Sequence, residues 1–217
     1  MSNVFAEAAD WLTDGTHWQG ADGVPARLGE HLGYSALTVV IAAAVALPLG
    51  LWIGHTGRLR GLAIGLTGAL RSLPTLGLLT LVVLWMGIGL TPPVLALVVL
   101  AVPPLLAGAY AGVESVDPRT VDAARGLGFT EWQVLTRVEV PLALPLILGG
   151  FRSAVLQVVS TATVAAYIGL GGLGRYLIDG IAVRDYPQTL AGSLVVVVLA
   201  LALDGAFAVA QRSAARA

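Results

Sequence analysis

Long uncharged runs of apolar residues alternate with short charged segments along this chain. Residues 32–54 form 23 positions without a charge, enough for one helix across a bilayer. Residues 72–113 hold 42 uncharged positions, too many for one span, and Thr91-Pro92-Pro93 marks a turn among them. The pattern predicts an all-α polytopic membrane protein with about five transmembrane helices, over residues 32–54, 72–90, 94–113, 143–169 and 189–210. A re-entrant segment around residues 61–70 is the alternative that would change this count.

Composition supports a membrane environment. Hydrophobic residues make up 57% of the chain and charged residues 12%, whereas a soluble domain carries about 25% charged residues. These charged residues are too few to cover the surface of a soluble protein of this size. Membrane lipid is therefore expected to contact the apolar part of the surface. The sequence has no cysteine, which excludes disulfides, thiolate metal ligands and cysteine nucleophiles.

The first 30 residues differ from the rest of the chain. They hold five acidic residues and a single base, Arg27, so they lack the basic start of a cleavable signal peptide. Trp11 and Trp18 fit a short amphipathic segment at the membrane surface. We therefore divide the chain into an external polar segment, residues 1–30, and a transmembrane domain, residues 31–217. A loop over residues 171–187 is expected before the fifth span.

The arginines predict the orientation, because basic residues accumulate in cytoplasmic loops. With the N-terminus outside, seven of them fall inside and only three outside. The C-terminus is then inside. The inner set is Arg58, Arg60, Arg119, Arg125, Arg137, Arg212 and Arg216, and the outer set is Arg27, Arg175 and Arg184.

The polar segment at residues 114–141 is the longest connection between spans, and its pattern is helical. Asp117 is a plausible N-cap with Pro118 at the first helical position. A helix from Pro118 to about residue 127 would end at Gly128 in a left-handed conformation. A second helical piece over residues 130–138 has Thr130 as its cap, and Pro141 and Pro145 mark the start of the fourth span. A solvated loop that only orients two spans is the plain alternative.

The same segment resembles the "EAA" loop of ABC importer permeases. The resemblance rests on Asp122-Ala123-Ala124, Gly128 and Val138, followed by Val140-Pro141, at the spacing of that motif. Asp122, Val138 and Val140 replace Glu, Ile and Leu. Residues 70–76, 110–118, 161–166 and 168–174 are similar to permeases of the betaine type. The chain is thus identified as a suspected permease of the osmoprotectant importers, with the architecture of the type I importers.

This resemblance implies a function and a set of partners. The chain would be no enzyme, with no catalytic residue and no cofactor, and would form the path for glycine betaine, choline, carnitine or proline in a bacterial inner membrane. The implied partners are cytoplasmic ATPase subunits contacting the loop, a second permease subunit, identical or homologous, and an external binding protein, with no nucleic acid. The alternatives are a permease for methionine or another small solute, and a secondary carrier that needs no ATPase.

Two nucleotide-binding motifs are excluded by the sequence. Residues 169–174 fit G-x-G-x-x-G, but that fingerprint requires a preceding strand, and here it follows a predicted membrane span. The chain has no Lys, so it cannot carry the phosphate-binding loop that ends in Gly-Lys-Ser/Thr. His17, His31 and His55 are scattered along the chain and predict no metal site.

The remaining candidates are charges and aromatic residues in the spans. Asp204 is predicted to pair with an arginine or to cap a neighbouring backbone, because an unpartnered charge in a membrane is costly; contact with the substrate is the alternative. For Arg71 and Arg152 we expect anchoring at the inner interface or pairing between subunits. Candidates for the substrate path are Trp85, Tyr110 and Tyr167, since aromatic faces attract a quaternary ammonium; belt or packing roles are the alternative.

Overall fold

The computed structural model describes residues 3–214, and α-helices dominate them. Arg216, which the arginine pattern places inside, lies outside this range. In chain order the α-helices are α1 (Val4–Thr13), α2 (Val24–Thr56), α3 (Arg60–Arg71), α4 (Thr75–Met86), α5 (Thr91–Glu114), α6 (Pro118–Gly126), α7 (Glu131–Val134), α8 (Val140–Ala165), α9 (Gly174–Val183) and α10 (Tyr186–Ala214). Short 3₁₀ turns cover Gly15–Trp18 and Ala166–Ile168, and a π-helical turn covers Leu135–Glu139.

Four of the predicted spans are confirmed as long apolar helices. These are α2, α5, the run from α7 through α8, and α10, each long and apolar enough to cross a membrane. Each is longer than the span predicted for it. In particular, α2 begins at Val24, so the boundary that we drew between residues 30 and 31 falls inside a helix.

The second predicted span, over residues 72–90, is wrong as a single helix. Instead, α3 and α4 meet at a bend of 90°. Each has 12 residues, or about 18 Å of helix, which is short of the ~30 Å hydrocarbon core. Pro74 forces the break, because a proline disfavours helical geometry at the residue before it, here Leu73. The count of five spans holds only if this bent pair is taken as one.

The predicted break before the fourth span is also absent. The helix runs from Glu131 through Pro141 and Pro145 to Ala165 without a loop. Pro141 has no N–H to donate to the residue four positions earlier. The helix accommodates it with the preceding π turn, in which the N–H of Val140 donates to the carbonyl of Leu135.

The predicted loop over residues 171–187 contains the ten-residue helix α9. It ends at Arg184, a non-glycine residue in the left-handed region with φ of 61°. The helix forms because Tyr176 and Leu177 pack in an apolar cluster with Val24 and Leu173.

The chain forms two compact units. The first takes residues up to Val39, Pro74–Val98 and Leu156–Leu203, and its core includes Leu79, Leu97, Ala162, Ala165 and Leu170. In this unit Trp11 of α1 stacks on His17, with ring centroids 4.1 Å apart, and meets the edge of Tyr176 at 5.2 Å. The N-terminal segment is therefore packed on α9.

The second unit takes Val40–Leu73, Val99–Val155 and the chain from Asp204 onward. Here α5 and α8 approach each other at glycines. A Cβ on Gly108 would lie 2.7 Å from the Cα of Gly150, and a Cβ on Gly150 would lie 2.6 Å from the carbonyl oxygen of Pro104. Only residues without a side chain permit this backbone contact.

Candidate functional site

The predicted polar loop folds as two helical pieces around a glycine turn. Asp117 caps α6, with its Oδ1 accepting from the N–H of Arg119 at 2.9 Å, and Pro118 opens the helix. The helix ends at Gly126, and Gly128 is left-handed with φ of 86°. Thr130 caps α7 through a reciprocal pair of hydrogen bonds with Gln133. The caps and the turn agree with the sequence prediction.

One side of α6 packs against other residues of the second unit. Val121 and Ala124 are buried in a cluster with Val116 and Val134, and Phe129 and Val138 pack against it. This small core makes α6, the glycine turn and α7 a single rigid element. We call residues 117–134 the loop knob.

The opposite side of α6 is open. Asp122 and Ala123 of the motif are exposed. Two large apolar side chains of the knob are also exposed, Leu127 with 79% of its surface and Trp132 with 71%. Sequence reasoning did not single out Leu127 or Trp132, because an apolar residue in a sequence does not show whether its side chain is buried. An exposed apolar pair on a polar knob is typical of a surface that binds another protein.

A chain of ionic contacts links the loop knob to the end of α2. Nδ1 of His55 lies 2.6 Å from Glu139, and Nε2 lies 3.1 Å from Glu131. Glu131 also accepts two hydrogen bonds of 3.0 Å from Arg125, which raise the pKa of that guanidinium. Arg125 in turn lies 3.5 Å from Asp122. The sequence pattern did not suggest His55 and Glu139 as partners, since 84 positions separate them.

Asp204 pairs with an arginine, as predicted. The Nε and Nη2 atoms of Arg152 donate to its two carboxylate oxygens, both at 2.7 Å. Nη1 of Arg152 donates to Gln211, which itself donates to the carbonyl of Pro145. Three of the five N–H donors of Arg152 are thus used within the chain. Its anchoring at the inner interface and its pairing between subunits stay predictions. Arg71 is exposed.

The three aromatic candidates divide between the two units. Trp85 is 82% exposed at the end of α4, and Tyr167 is 64% exposed in the turn Ala166–Ile168. Both belong to the first unit, where α4 contacts that turn. Tyr110 lies part-buried in α5 within the second unit. Trp85 and Tyr167 therefore lie on neighbouring elements.

The glycine-rich segment 169–174 makes turns against the start of α2. Gly169 and Gly172 have positive φ angles of 94° and 83°. The N–H of Gly172 donates to Glu30 at 2.8 Å. A helix precedes this segment in place of the strand that a dinucleotide site requires. Within residues 3–214, no group of three or more His, Asp or Glu side chains could hold a metal ion.

Comparison with known proteins identifies the class of this fold. A family described as "Binding-protein-dependent transport system inner membrane component" matches residues 46–216. The chain belongs to this family and is a membrane-spanning permease subunit of an ABC importer. Permeases of this class work with ATPase and binding-protein partners.

The similar proteins are permeases from several bacteria. The chain is 33% identical to the glycine betaine/carnitine/choline transport system permease protein OpuCB of Bacillus subtilis, over 86% of each chain. It is 36% identical to the osmoprotectant import permease protein OsmW of Salmonella typhimurium, over 81% of this chain and 84% of that one. Among solved structures, an inward-facing MetNI methionine ABC transporter matches with a TM-score of 0.76 at 19% identity, over 99% of each chain. That match shows the fold alone.

Proposed function

We propose that this chain forms the translocation path for a small osmoprotectant such as glycine betaine, choline, carnitine or proline. The support is the group of relatives named for these solutes, which are about a third identical over most of the chain. A permease for methionine or another small solute is the alternative. The structural similarity to the methionine transporter does not favour this alternative, because a sequence identity of 19% is too low to indicate a shared substrate.

ATP hydrolysis would then occur on separate cytoplasmic ATPase subunits. A second permease subunit, identical or homologous, would complete the path, and an external binding protein would deliver the solute. Trp85, Tyr110 and Tyr167 are our candidates for aromatic contacts along the path. Such contacts need to be weak, because a path that binds tightly releases slowly.

The loop knob is the proposed contact with the ATPase. One observation carries this proposal: the motif residues Asp122 and Ala123 are exposed beside Leu127, on a helix that a buried core keeps rigid. Asp117, Pro118, Ala124, Gly128 and Pro141 shape and position that helix. ATP binding would move the knob as one body and open the path outward, and ATP hydrolysis would return the path to its inward-facing state. The ATPase site and the path would thus be coupled over a distance.

The orientation of the chain in the inner membrane follows the arginine pattern, with the N-terminus outside and the C-terminus inside. The two compact units keep the two groups of arginines apart. The segments with Arg27, Arg175 and Arg184 all belong to the first unit. The segments with Arg58, Arg119 and Arg212 all belong to the second. Each unit therefore carries the loops of one predicted side.

The coupling role is tested with two variants of the knob. Proline cannot adopt the positive φ of Gly128, so Gly128→Pro would deform the turn, and Asp122→Arg would reverse the charge of the exposed face. We expect both to abolish uptake of glycine betaine by cells while the permease inserts in the membrane at its normal level. Gly126→Ala is the matched control, since a Cβ there meets no atom within 4 Å.

Normal uptake by both variants would exclude the loop knob as the coupling element. The solute is tested separately, with the whole complex in liposomes. We expect glycine betaine, delivered by the binding protein, to stimulate ATP hydrolysis more than methionine does. Stimulation by methionine alone would favour the alternative substrate, and uptake in the absence of any ATPase would favour a secondary carrier.

A further inference from the structure

We propose that His55 is a positioning residue that transmits movement of the loop knob to the first membrane helix. The proposal rests on the coupling role of the knob and identifies the side chain through which α2 would follow it. His55 lies in the last turn of α2, just beyond the apolar run that crosses the membrane. It contacts the two carboxylates that begin and end the segment Glu131–Glu139.

The contact with Glu139 is buried. Only 6% of the Glu139 side chain and 11% of the His55 side chain are exposed. A carboxylate taken out of water needs a charged or donating partner, and losing that partner leaves an uncompensated charge. Among residues 3–214, His55 is the ion-pair partner of Glu139. This pair therefore fixes the end of α2 against the π turn at the start of α8.

The contact with Glu131 continues to the exposed face of the knob. Glu131 is shared between His55 and Arg125, and Arg125 reaches Asp122 in the proposed coupling helix. Each ring nitrogen of His55 faces a carboxylate, so this one side chain contacts both the knob and the π turn. Because the knob is one rigid element, a displacement of α6 would carry Glu131 with it and would pull on the end of α2 through the contacts of His55.

Local packing leaves room for such a movement. Beside the ring, an open cavity of about 600 Å³ is lined mainly by apolar side chains of α2 and of residues 131–140, including Trp52, Trp132 and Leu135. The two segments are therefore not tightly interlocked on this side. The ionic contacts of His55 are the specific link between them.

The test uses the complete complex with its ATPase and binding protein, reconstituted in liposomes with glycine betaine. The measured quantity is the number of solute molecules moved per ATP hydrolysed. We expect His55→Ala and Glu139→Gln each to lower this ratio about 3- to 30-fold, the range found for mutations that alter coupling between sites. Complex assembly and ATP hydrolysis should persist. A purely structural role would lower the amount of complex and leave the ratio unchanged.

The double variant His55→Ala/Glu139→Gln decides whether the two residues act through each other. We expect its ratio to be no lower than that of the worse single variant, because contacting residues are not additive. The proposal would be overturned if the losses of the two single variants multiply in the double variant. A normal ratio in His55→Ala would overturn it too. His17→Ala is the matched control, since that histidine also lies near an acid, Asp14, but belongs to the other compact unit.

Two further variants keep the result decisive. If His55→Ala does not assemble, Glu131→Ala breaks the contact between the knob and His55 at an exposed position, and a normal ratio there would contradict the proposal. Gly128→Pro separates the two hypotheses. If it abolishes uptake while His55→Ala is normal, only the role of His55 fails; if it transports normally, the coupling role of the knob fails as well.

Discussion

At the scale of single residues, the pair of Arg152 and Asp204 shows how this chain handles charge inside a membrane helix. Both side chains are about one-third exposed, and two parallel hydrogen bonds of 2.7 Å join them. Planar arginine and carboxylate groups match each other in this geometry. The pair therefore neutralises two charges that would each be costly alone.

We expect Asp204→Ala to lower the free energy of unfolding by about 2 kcal/mol, because it leaves the Arg152 guanidinium without its charged partner. The measurement is denaturant unfolding of the purified protein in detergent. Arg175→Ala is the control, since its pair with Asp179 spans one turn of α9 and is more exposed; it should cost about 0.5 kcal/mol or less. Equal losses in the two variants would contradict the special role of the membrane pair.

At the scale of helices, the approach of α5 to α8 depends on glycine. The helix backbones meet at Gly108 and Gly150, and neither position has space for a methyl group. In a membrane, close packing of this kind replaces the hydrophobic effect as the force between helices.

Gly108→Ala should therefore lower the free energy of unfolding by about 1–3 kcal/mol, the usual cost of overpacking. The same unfolding measurement in detergent reports it. Gly205→Ala is the matched control in α10, where a new Cβ meets no atom within 4 Å. If both substitutions are neutral, the contact between α5 and α8 is not as close as described.

At the scale of the whole molecule, the orientation in the membrane is directly testable. The natural sequence has no cysteine, so a single introduced thiol gives labelling without background. We expect Thr16→Cys to react with a membrane-impermeant maleimide on intact cells, and Arg119→Cys to react only after the cells are permeabilised. The reverse pattern would place the N-terminus inside and would exclude the loop knob as an ATPase contact.

The local signals in the sequence predicted local structure well. Asp117, Pro118, Gly128 and Thr130 specify the caps and the turn of the loop knob, because caps and turns depend on a few neighbouring backbone groups. Of the five spans that the apolar runs predicted, four are confirmed as long helices, because a bilayer imposes a minimum length on any span. The spacing of the loop motif also identified the class of transporter.

Prediction from the sequence failed for elements whose structure depends on residues that are distant in the chain. The helix α9 forms among glycines because Tyr176 and Leu177 find an apolar cluster. A re-entrant segment around residues 61–70 was only an alternative, since an uncharged run shows hydrophobicity but not the direction of the helices; in the structure α3 covers that segment and bends by 90° into α4.

What the sequence by itself determined is therefore the membrane environment, four of the long helices, the caps and turn of the loop knob, and the family. Only the tertiary structure decided the ionic partners: Arg152 with Asp204, and His55 with Glu139 and Glu131. The physical reason is that a charge pair needs atoms within about 4 Å, and no local pattern brings together residues 52 or 84 positions apart. Packing of the helices creates those distances, and with them the proposed link between the knob and the membrane.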